Sequence, residues 1–340
     1  MKRIFIPFTL LVVLTVLTAC GAPATTLTET PKQETKFKVG LLSPGPVNDQ
    51  GWNQIAYDAL KQMESKLDVE TSYVELSDSP AEFEKAFRDY ASQGYNVVLG
   101  HGTQFEDSAV TVAKDFPKTY FFISSSRFYD PKVPNVIGLN TDSSQPFYVL
   151  GVIAAKLGKG AGLVGGMDIP PISESFYGFE KGAKSVNPDF KVSVTYLGNW
   201  TDLAAAKEAA ISIVNEGADF LLSNANIAGN GVYQAITEKK VWGFGVNISA
   251  DQANNFEMAP GRILANNVND YGAGLVSLVD QLSKDNWKPE GNYEFGLKDT
   301  KVFYITYNDK AENPIPADVK KAAEEAIQKI SSGEIKVLDK

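Results

Sequence analysis

Apolar and polar positions along the chain keep switching between two periods. Phe37-Lys38-Val39-Gly40-Leu41-Leu42 is a short apolar run of strand character, and Trp52, Ile55, Ala59, Leu60, Met63 and Leu67 follow at helical spacing. Ser79-Pro80 has the form of an N-cap with a proline at the first helical position. The pattern predicts a helix from there to Gln93, ended by Gly94 and followed by a buried strand over Tyr95 to Leu99. A helix over Phe105 to Lys114 and a strand over Thr119 to Ile123 come next, and the alternation resumes at Gly162 and runs to Val246. The last helix, Pro316 to Ile330, alternates alanines with charges and presents a solvated face. Strands alternating with helices predict an α/β fold whose mostly parallel sheets are covered on both faces.

The resumption is close to a repeat. Tyr73–Leu99 and Tyr196–Leu222 align without a gap at an offset of 123 residues, which puts Gly94 on Gly217 and Leu99 on Leu222. At the same offset the strand ending at Ile123 falls on the one ending at Val246. Two similar lobes are therefore expected. Ligands of open parallel sheets lie beyond the carboxyl ends of the strands, so both sets of strand ends should face one cleft. In the first lobe the rule selects Ser43-Pro44-Gly45 with Asn48, Asp49 and Trp52, then His101-Gly102-Thr103 and Ser124-Ser125-Ser126. In the second it selects Met167-Asp168, Asn199-Trp200, Asn224-Ala225-Asn226 and Asn247. Asn and Ser both donate and accept, and Trp offers a flat apolar face. That mixture suits a neutral polar ring system better than an ion.

The N-terminus sets the compartment. Lys2 and Arg3 precede an apolar run from Ile4 to Leu17 that is too short to be a convincing membrane span, so residues 1–19 are expected to be a signal peptide. Leu17-Thr18-Ala19-Cys20 resembles the bacterial lipobox, which implies a lipid on Cys20 and an anchor on the outer face of the cell membrane. The alternative is an ordinary secretory signal with an incidental cysteine. Cys20 is the only cysteine, so no intramolecular disulfide can form, and residues 20–36 read as a flexible tether. Removing 19 of 340 residues leaves 321, enough for two domains, and takes the net charge from −9 to −11 as Lys2 and Arg3 leave. An acidic body argues against nucleic acid as a partner. With one His, one Cys and no spaced acidic cluster, neither a metal nor another cofactor is expected.

Val164-Gly165-Gly166-Met167-Asp168-Ile169-Pro170, with Gly178-Phe179-Glu180-Lys181-Gly182 after it, resembles the signature of the basic membrane protein family of purine nucleoside receptors. Asn48-Asp49-Gln50-Gly51-Trp52-Asn53, Gly198-Asn199-Trp200-Thr201-Asp202 with Lys207-Glu208, and the tail from Lys329 to Val337 are similar to that family's pattern too. The likeness covers nearly all of Lys38 to Val337. It implies a type I periplasmic-binding-protein fold: two Rossmann-like lobes joined by hinge crossovers, near Asn140-Thr141, Leu264-Ala265 and Gly296. Lobe 1 is then 37–141 plus 265–296, and lobe 2 is 142–264 plus 297–340. The family also implies a monomer that delivers a purine nucleoside or nucleobase to an ABC permease and ATPase.

Position by position, Trp52 stands where the family has the aromatic that stacks on the purine, and Asn53 follows as the pattern expects. Trp200 is the candidate second stacking face, although either Trp could instead be core. Asp49, Ser125 and Asn226 are expected to line the cleft. Asp168 either lines it or caps the next turn, and His101 serves hydrogen bonding or loop packing. Two positions depart from the family. Asn247 replaces the Asp that holds ribose hydroxyls, and Asn269 replaces a frequent Lys, with Asp251 a candidate to supply the missing carboxylate. A charge-assisted grip on a sugar is thereby weakened, so a free base or another polar molecule, imported or sensed, becomes a competitor. Gly160 to Gly166 matches neither a P-loop nor a dinucleotide fingerprint, and no nucleophile–base pair stands out, so the chain is not expected to be an enzyme.

Overall fold

The computed structural model describes residues 36–48, 52–77, 79–289 and 291–338. The expected signal peptide, Cys20 and Asp49 lie outside the described residues, as does the tether up to residue 35. The first lobe is built from β1 (Phe37–Ser43), α1 (Trp52–Lys66), β2 (Val69–Glu75), α2 (Pro80–Ser92), β3 (Val97–Gly100), α3 (Glu106–Ala113), β4 (Tyr120–Ser124) and β5 (Val136–Thr141). The second follows with α4 (Ser144–Leu157), β6 (Gly160–Gly165), α5 (Pro170–Val186), β7 (Lys191–Tyr196), α6 (Leu203–Asn215), β8 (Phe220–Asn224), α7 (Gly229–Lys239), β9 (Trp242–Ile248) and β10 (Ile263–Asn269). The chain then returns to the first lobe for α8 (Tyr271–Ser283) and β11 (Tyr293–Phe295), and ends in the second with β12 (Phe303–Tyr307) and α9 (Ala317–Ser331).

The sheets run β11-β5-β4-β3-β1-β2 and β12-β10-β9-β8-β6-β7. Neighbouring strands are parallel, except that β12 runs antiparallel to β10. The repeat reaches back beyond the aligned segment, since β1 and β6 begin 123 residues apart, at Phe37 and Gly160. At the offset of 123, α2 and α6 begin and end at equivalent residues, and so do the 3-10 turns Thr103–Phe105 and Asn226–Ala228. Gly94 and Gly217 both adopt left-handed φ, +78° and +104°, where the chain leaves those helices, a conformation that favours glycine. The caps differ. Ser79 makes no side-chain cap bond, whereas Asp202, its equivalent, accepts from the Ala205 N–H at 2.9 Å.

One face of each sheet carries its own core. Phe83 and Phe87 of α2 pack on Phe105 and Phe121 in lobe 1, and Ala206, Ala210 and Ile213 of α6 pack with Leu221 and Val232 in lobe 2. The other faces merge into one apolar cluster that runs from Val39 and Leu60 through Phe147 and Phe179 to Phe244 and Ile330. Glycines of the 178–182 stretch serve that cluster. A Cβ on Gly178 would lie 2.2 Å from the Ser144 carbonyl oxygen and one on Gly182 2.0 Å from that of Tyr148, so only glycine lets α5 approach α4 this closely. The last helix buries one face, Val319, Ala323, Ala326 and Ile330, against this cluster.

The second crossover differs from the sequence-based boundary at 264/265. β10 pairs with β12 as far as Asn269 and, with two register shifts, with β9 as far as Val268, so residues 265–269 belong to the second sheet and the chain crosses between Asn269 and Tyr271. The polar run Asn266-Asn267-Val268-Asn269 reads like a strand end in sequence. In the fold Asn266 and Asn267 are fully buried, and Asn266 Nδ2 donates to the Ala253 and Asn255 carbonyls at 3.1 and 2.9 Å. The crossovers lie side by side: the Asp142 N–H donates to the Phe295 carbonyl and the Asp270 N–H to the Val302 carbonyl, both at 2.8 Å.

Candidate ligand-binding cleft

Strand ends of both lobes open on one cleft. A cavity of about 620 Å³ is lined by Trp52, Ser125, Arg127 and Asn140 from lobe 1 and by Ile169, Pro170 and Glu174 from lobe 2. It falls within the range of small-molecule pockets, about 300–1,000 Å³. Further along α1, a second cavity of about 480 Å³ is lined by Ile55 and Asp58 on one side and by Asn247, Asp251, Asn269 and Tyr271 on the other.

Trp52, the first residue of α1, is 41% exposed and so is not core. One face of its indole rests on the His101 ring, with centroids 4.1 Å apart and an interplanar angle of 21°, and Tyr271 lies roughly parallel at 6.3 Å. His101 is fully buried. Its Nε2 lies 2.9 Å from the Trp52 carbonyl, which can only accept, so Nε2 carries the proton. Nδ1 then takes a hydrogen bond from Ser124 Oγ at 3.0 Å, and Ser124 Oγ takes one from the Tyr271 hydroxyl at 3.0 Å. Burial pushes the Tyr271 phenol well above its ordinary range, which keeps it a donor. Being buried beneath Trp52, His101 backs the platform and does not line the cavity.

The other sequence candidates divide. Ser125 lines the cavity at Trp52 with a left-handed φ of +57°. Asn53 is half-buried, its Nδ2 facing Gly45, where a Cβ would lie 3.2 Å away. Trp200 is half-buried with its ring pressed on Gly166, where a Cβ would meet it at 2.2 Å. It is not among the residues lining the cavity at Trp52. Nor is Asp168, which is exposed beside Tyr196 and does not cap α5; burial and then Asp168 push the Tyr196 phenol up. Asn226, exposed at a φ of +47°, shares a third cavity of about 230 Å³ with Asn224 and Asn247. Asn247, Asp251 and Asn269 meet in the second cavity, where Asn269 Oδ1 is enclosed without a hydrogen-bond partner. Hydrogen bonds from Ser249 and Gln252 hold the Asp251 carboxyl below its usual range.

Arg127 was not singled out from sequence. It lines the cavity at Trp52, donating to Glu174 of lobe 2 at 2.7 and 3.3 Å and to Glu294 of lobe 1 at 3.2 Å. A composition rule that prizes Asn, Ser and Trp at strand ends passes over an arginine three residues beyond β4. Among the described residues no cluster of three or more His, Cys, Asp or Glu could hold a metal, and no helix is long and apolar enough to cross a membrane.

Two lobes with strand ends facing a ring-sized cleft, and an aromatic platform at its edge, define a solute-binding protein of the type I periplasmic-binding fold. A solute-binding protein of an ABC transporter from Conexibacter woesei has this fold, with a TM-score of 0.68 at 23% identity, covering 88% of this chain and 98% of that one. The chain belongs to the Bmp family, the PnrA-like ABC transporter substrate-binding proteins, which matches residues 36–340; it is a binding protein and not an enzyme. It is similar to a purine-binding protein of Brucella abortus, 28% identical over 306 residues that cover 89% of this chain and 83% of that one. It is also similar to the nucleoside-binding protein BmpA of a Lactococcus lactis ABC transporter, 28% identical over 328 residues, 91% of each chain.

Proposed function

We propose that this chain captures a purine nucleoside or purine base between its lobes and hands it to an ABC permease and ATPase outside the cytoplasm, held to the membrane by a lipid on Cys20. The observation that carries the ligand is Trp52: one indole face is sealed by His101 and the side chain still stands 41% exposed in a cavity lined by both lobes. A base stacked on an aromatic gains about 1–3 kcal/mol, a sizeable part of the roughly 8 kcal/mol of a micromolar complex. The names of the purine-binding and nucleoside-binding relatives point the same way.

The sugar side favours a wider choice. Asn247 and Asn269 offer neutral hydrogen bonds only, about half as strong as charge-assisted ones, so a free base or another polar ring compound competes with the nucleoside. Calorimetry with inosine, adenosine, hypoxanthine, adenine and a set of sugars separates these readings. Tight binding of nucleosides and bases is expected; binding confined to sugars would sink the purine assignment. Replacing Cys20 by Ala should release the protein from the membrane fraction, and a variant that stays bound would place the anchor elsewhere.

A further inference from the structure

Lobe 2 contains a hydrogen-bond chain with only one direction. Ser175, fully buried on α5, donates its single hydroxyl proton to the Ile172 carbonyl at 2.7 Å. Toward any other partner it can only accept, so the atom of Asn224 that meets it at 3.3 Å must be Nδ2. An amide fixed at its NH2 end presents its oxygen at the other, and Asn224 Oδ1 accepts from Asn247 Nδ2 at 3.3 Å. Asn247 is exposed at the end of β9, its φ of +52° in the left-handed region, and it lines cavities of about 480, 700 and 230 Å³. One Nδ2 proton is committed to Asn224, which fixes how the amide is turned and leaves Oδ1 as its acceptor for a ligand.

We infer that Ser175 and Asn224 are positioning residues that fix which way the Asn247 amide is turned, so that its oxygen is held ready to accept from a ligand with a hydroxyl or N–H donor at this point. The inference rests on the reading of the cleft as the ligand site. It differs from a general polarity argument because an unheld asparagine could rotate to offer either end. Here the choice is made two residues away, at a serine that touches no ligand.

A rescue experiment tests it. Binding of inosine to the detergent-solubilised mature chain is measured by calorimetry for the parent, Ser175→Ala, Asn247→Asp and the double variant. A carboxylate accepts at both oxygens and has no N–H for Asn224 Oδ1 to hold, so what it offers a ligand no longer depends on Ser175. Ser175→Ala should therefore weaken binding about three- to tenfold when Asn247 is kept, the worth of one neutral hydrogen bond, and less than twofold in the Asn247→Asp background. Equal losses in both backgrounds would mean that Ser175 acts only through packing, and no loss in the first would end the proposal. If the parent binds no nucleoside or base, the purine reading fails by itself. The orientation is then read without ligand, from the side-chain NH2 signals of Asn247, identified by their disappearance in Asn247→Asp. Ser175→Ala should shift and broaden them; unchanged signals would overturn the inference.

Discussion

The two lobes carry the same wiring made from different residues. At the offset of 123, Trp52, His101 and Ser124 of lobe 1 fall on Ser175, Asn224 and Asn247 of lobe 2. In each lobe the middle residue, at the end of the strand beside β1 or β6, joins a helix to the next strand over. His101 bonds the Trp52 carbonyl and Ser124, and Asn224 bonds Ser175 and Asn247. Lobe 1 buries its chain and exposes the ring at one end; lobe 2 buries the serine and exposes the amide. The duplicated framework fixes where two ligand-facing groups stand. The residue types then divide the work between an apolar face and a hydrogen-bonding group.

The sharpest way to break this comparison is at the middle residue. Replacing His101 by Ala removes a fully buried ring, its stack under Trp52 and two hydrogen bonds, and should cost about 2–4 kcal/mol of stability. Asn224→Ala, at a half-buried position, should cost about 1 kcal/mol. His101→Asn places the lobe 2 residue in lobe 1; it restores polar satisfaction without the ring, so stability should recover more than purine affinity does. Trp52→Ala, which takes away the platform itself, should weaken binding by about 1–3 kcal/mol, roughly five- to 150-fold. Denaturant unfolding and calorimetry on the same four variants give both scales. If His101→Asn binds purine as tightly as the parent, the histidine is not what holds the indole in place.

Much of this was legible from residue types and spacing. The alternation of strands and helices, the offset repeat and the strand-end rule lead to the fold and to Trp52, because periodicity and parallel-sheet topology are local, additive signals. His101 was placed at the cleft but not beneath it, since burial depends on which ring covers it. Trp200 was expected as a second stacking face, and its packing on Gly166 could not be foreseen from spacing. Ser175 was missed altogether. The signal existed, because the offset that aligns the lobes carries Trp52 onto Ser175, but it becomes informative only once the bond partners of His101 are known. Asn267 and the late crossover were missed for the opposite reason: a run of asparagines reads as a strand end, and only pairing with two neighbouring strands shows it to be buried sheet.

A smaller effect is expected where the lobes touch. Arg127 ties lobe 1 to Glu174 of lobe 2, with both side chains about one-third exposed at 39% and 30%, so the pair is worth roughly 1 kcal/mol or less. Glu174→Gln should therefore loosen the cleft without unfolding either lobe. Small-angle scattering without ligand should show a modest increase in radius of gyration, and the parent should show part of the same increase at high salt, where the pair is screened. Identical profiles for parent and variant at low salt would mean that the crossovers alone set the lobe angle, with this charged tie contributing nothing to it.

The smallest effect concerns two carboxyls that face each other across the second cavity, Asp58 of α1 and Asp251 after β9. Burial, and then the charge of Asp251, raises the Asp58 carboxyl above its ordinary range, while a hydrogen bond from Gln54 opposes the shift. A raised folded pKa means that the folded chain keeps this proton in a window just above the usual carboxylate range, where the unfolded chain has already lost it. Stability accordingly falls as pH rises through that window, and ionised Asp58 is a net cost at neutral pH. Asp251 has the opposite sign: its lowered pKa contributes stability above the usual range that is lost on acidification. Asp58→Asn keeps the amide-compatible bond to Gln54 and removes the charge. It should raise the melting temperature at neutral pH by roughly 1 °C, since solvent screens a group this exposed to a few tenths of a kcal/mol. On the acid side of the window the difference should vanish, and Asp251→Asn should lower the melting temperature at neutral pH. Scanning calorimetry at both pH values decides. A lower melting temperature for Asp58→Asn at neutral pH would show that the Gln54 bond outweighs burial and the facing charge, and that the two lobes do not repel at this edge of the cleft.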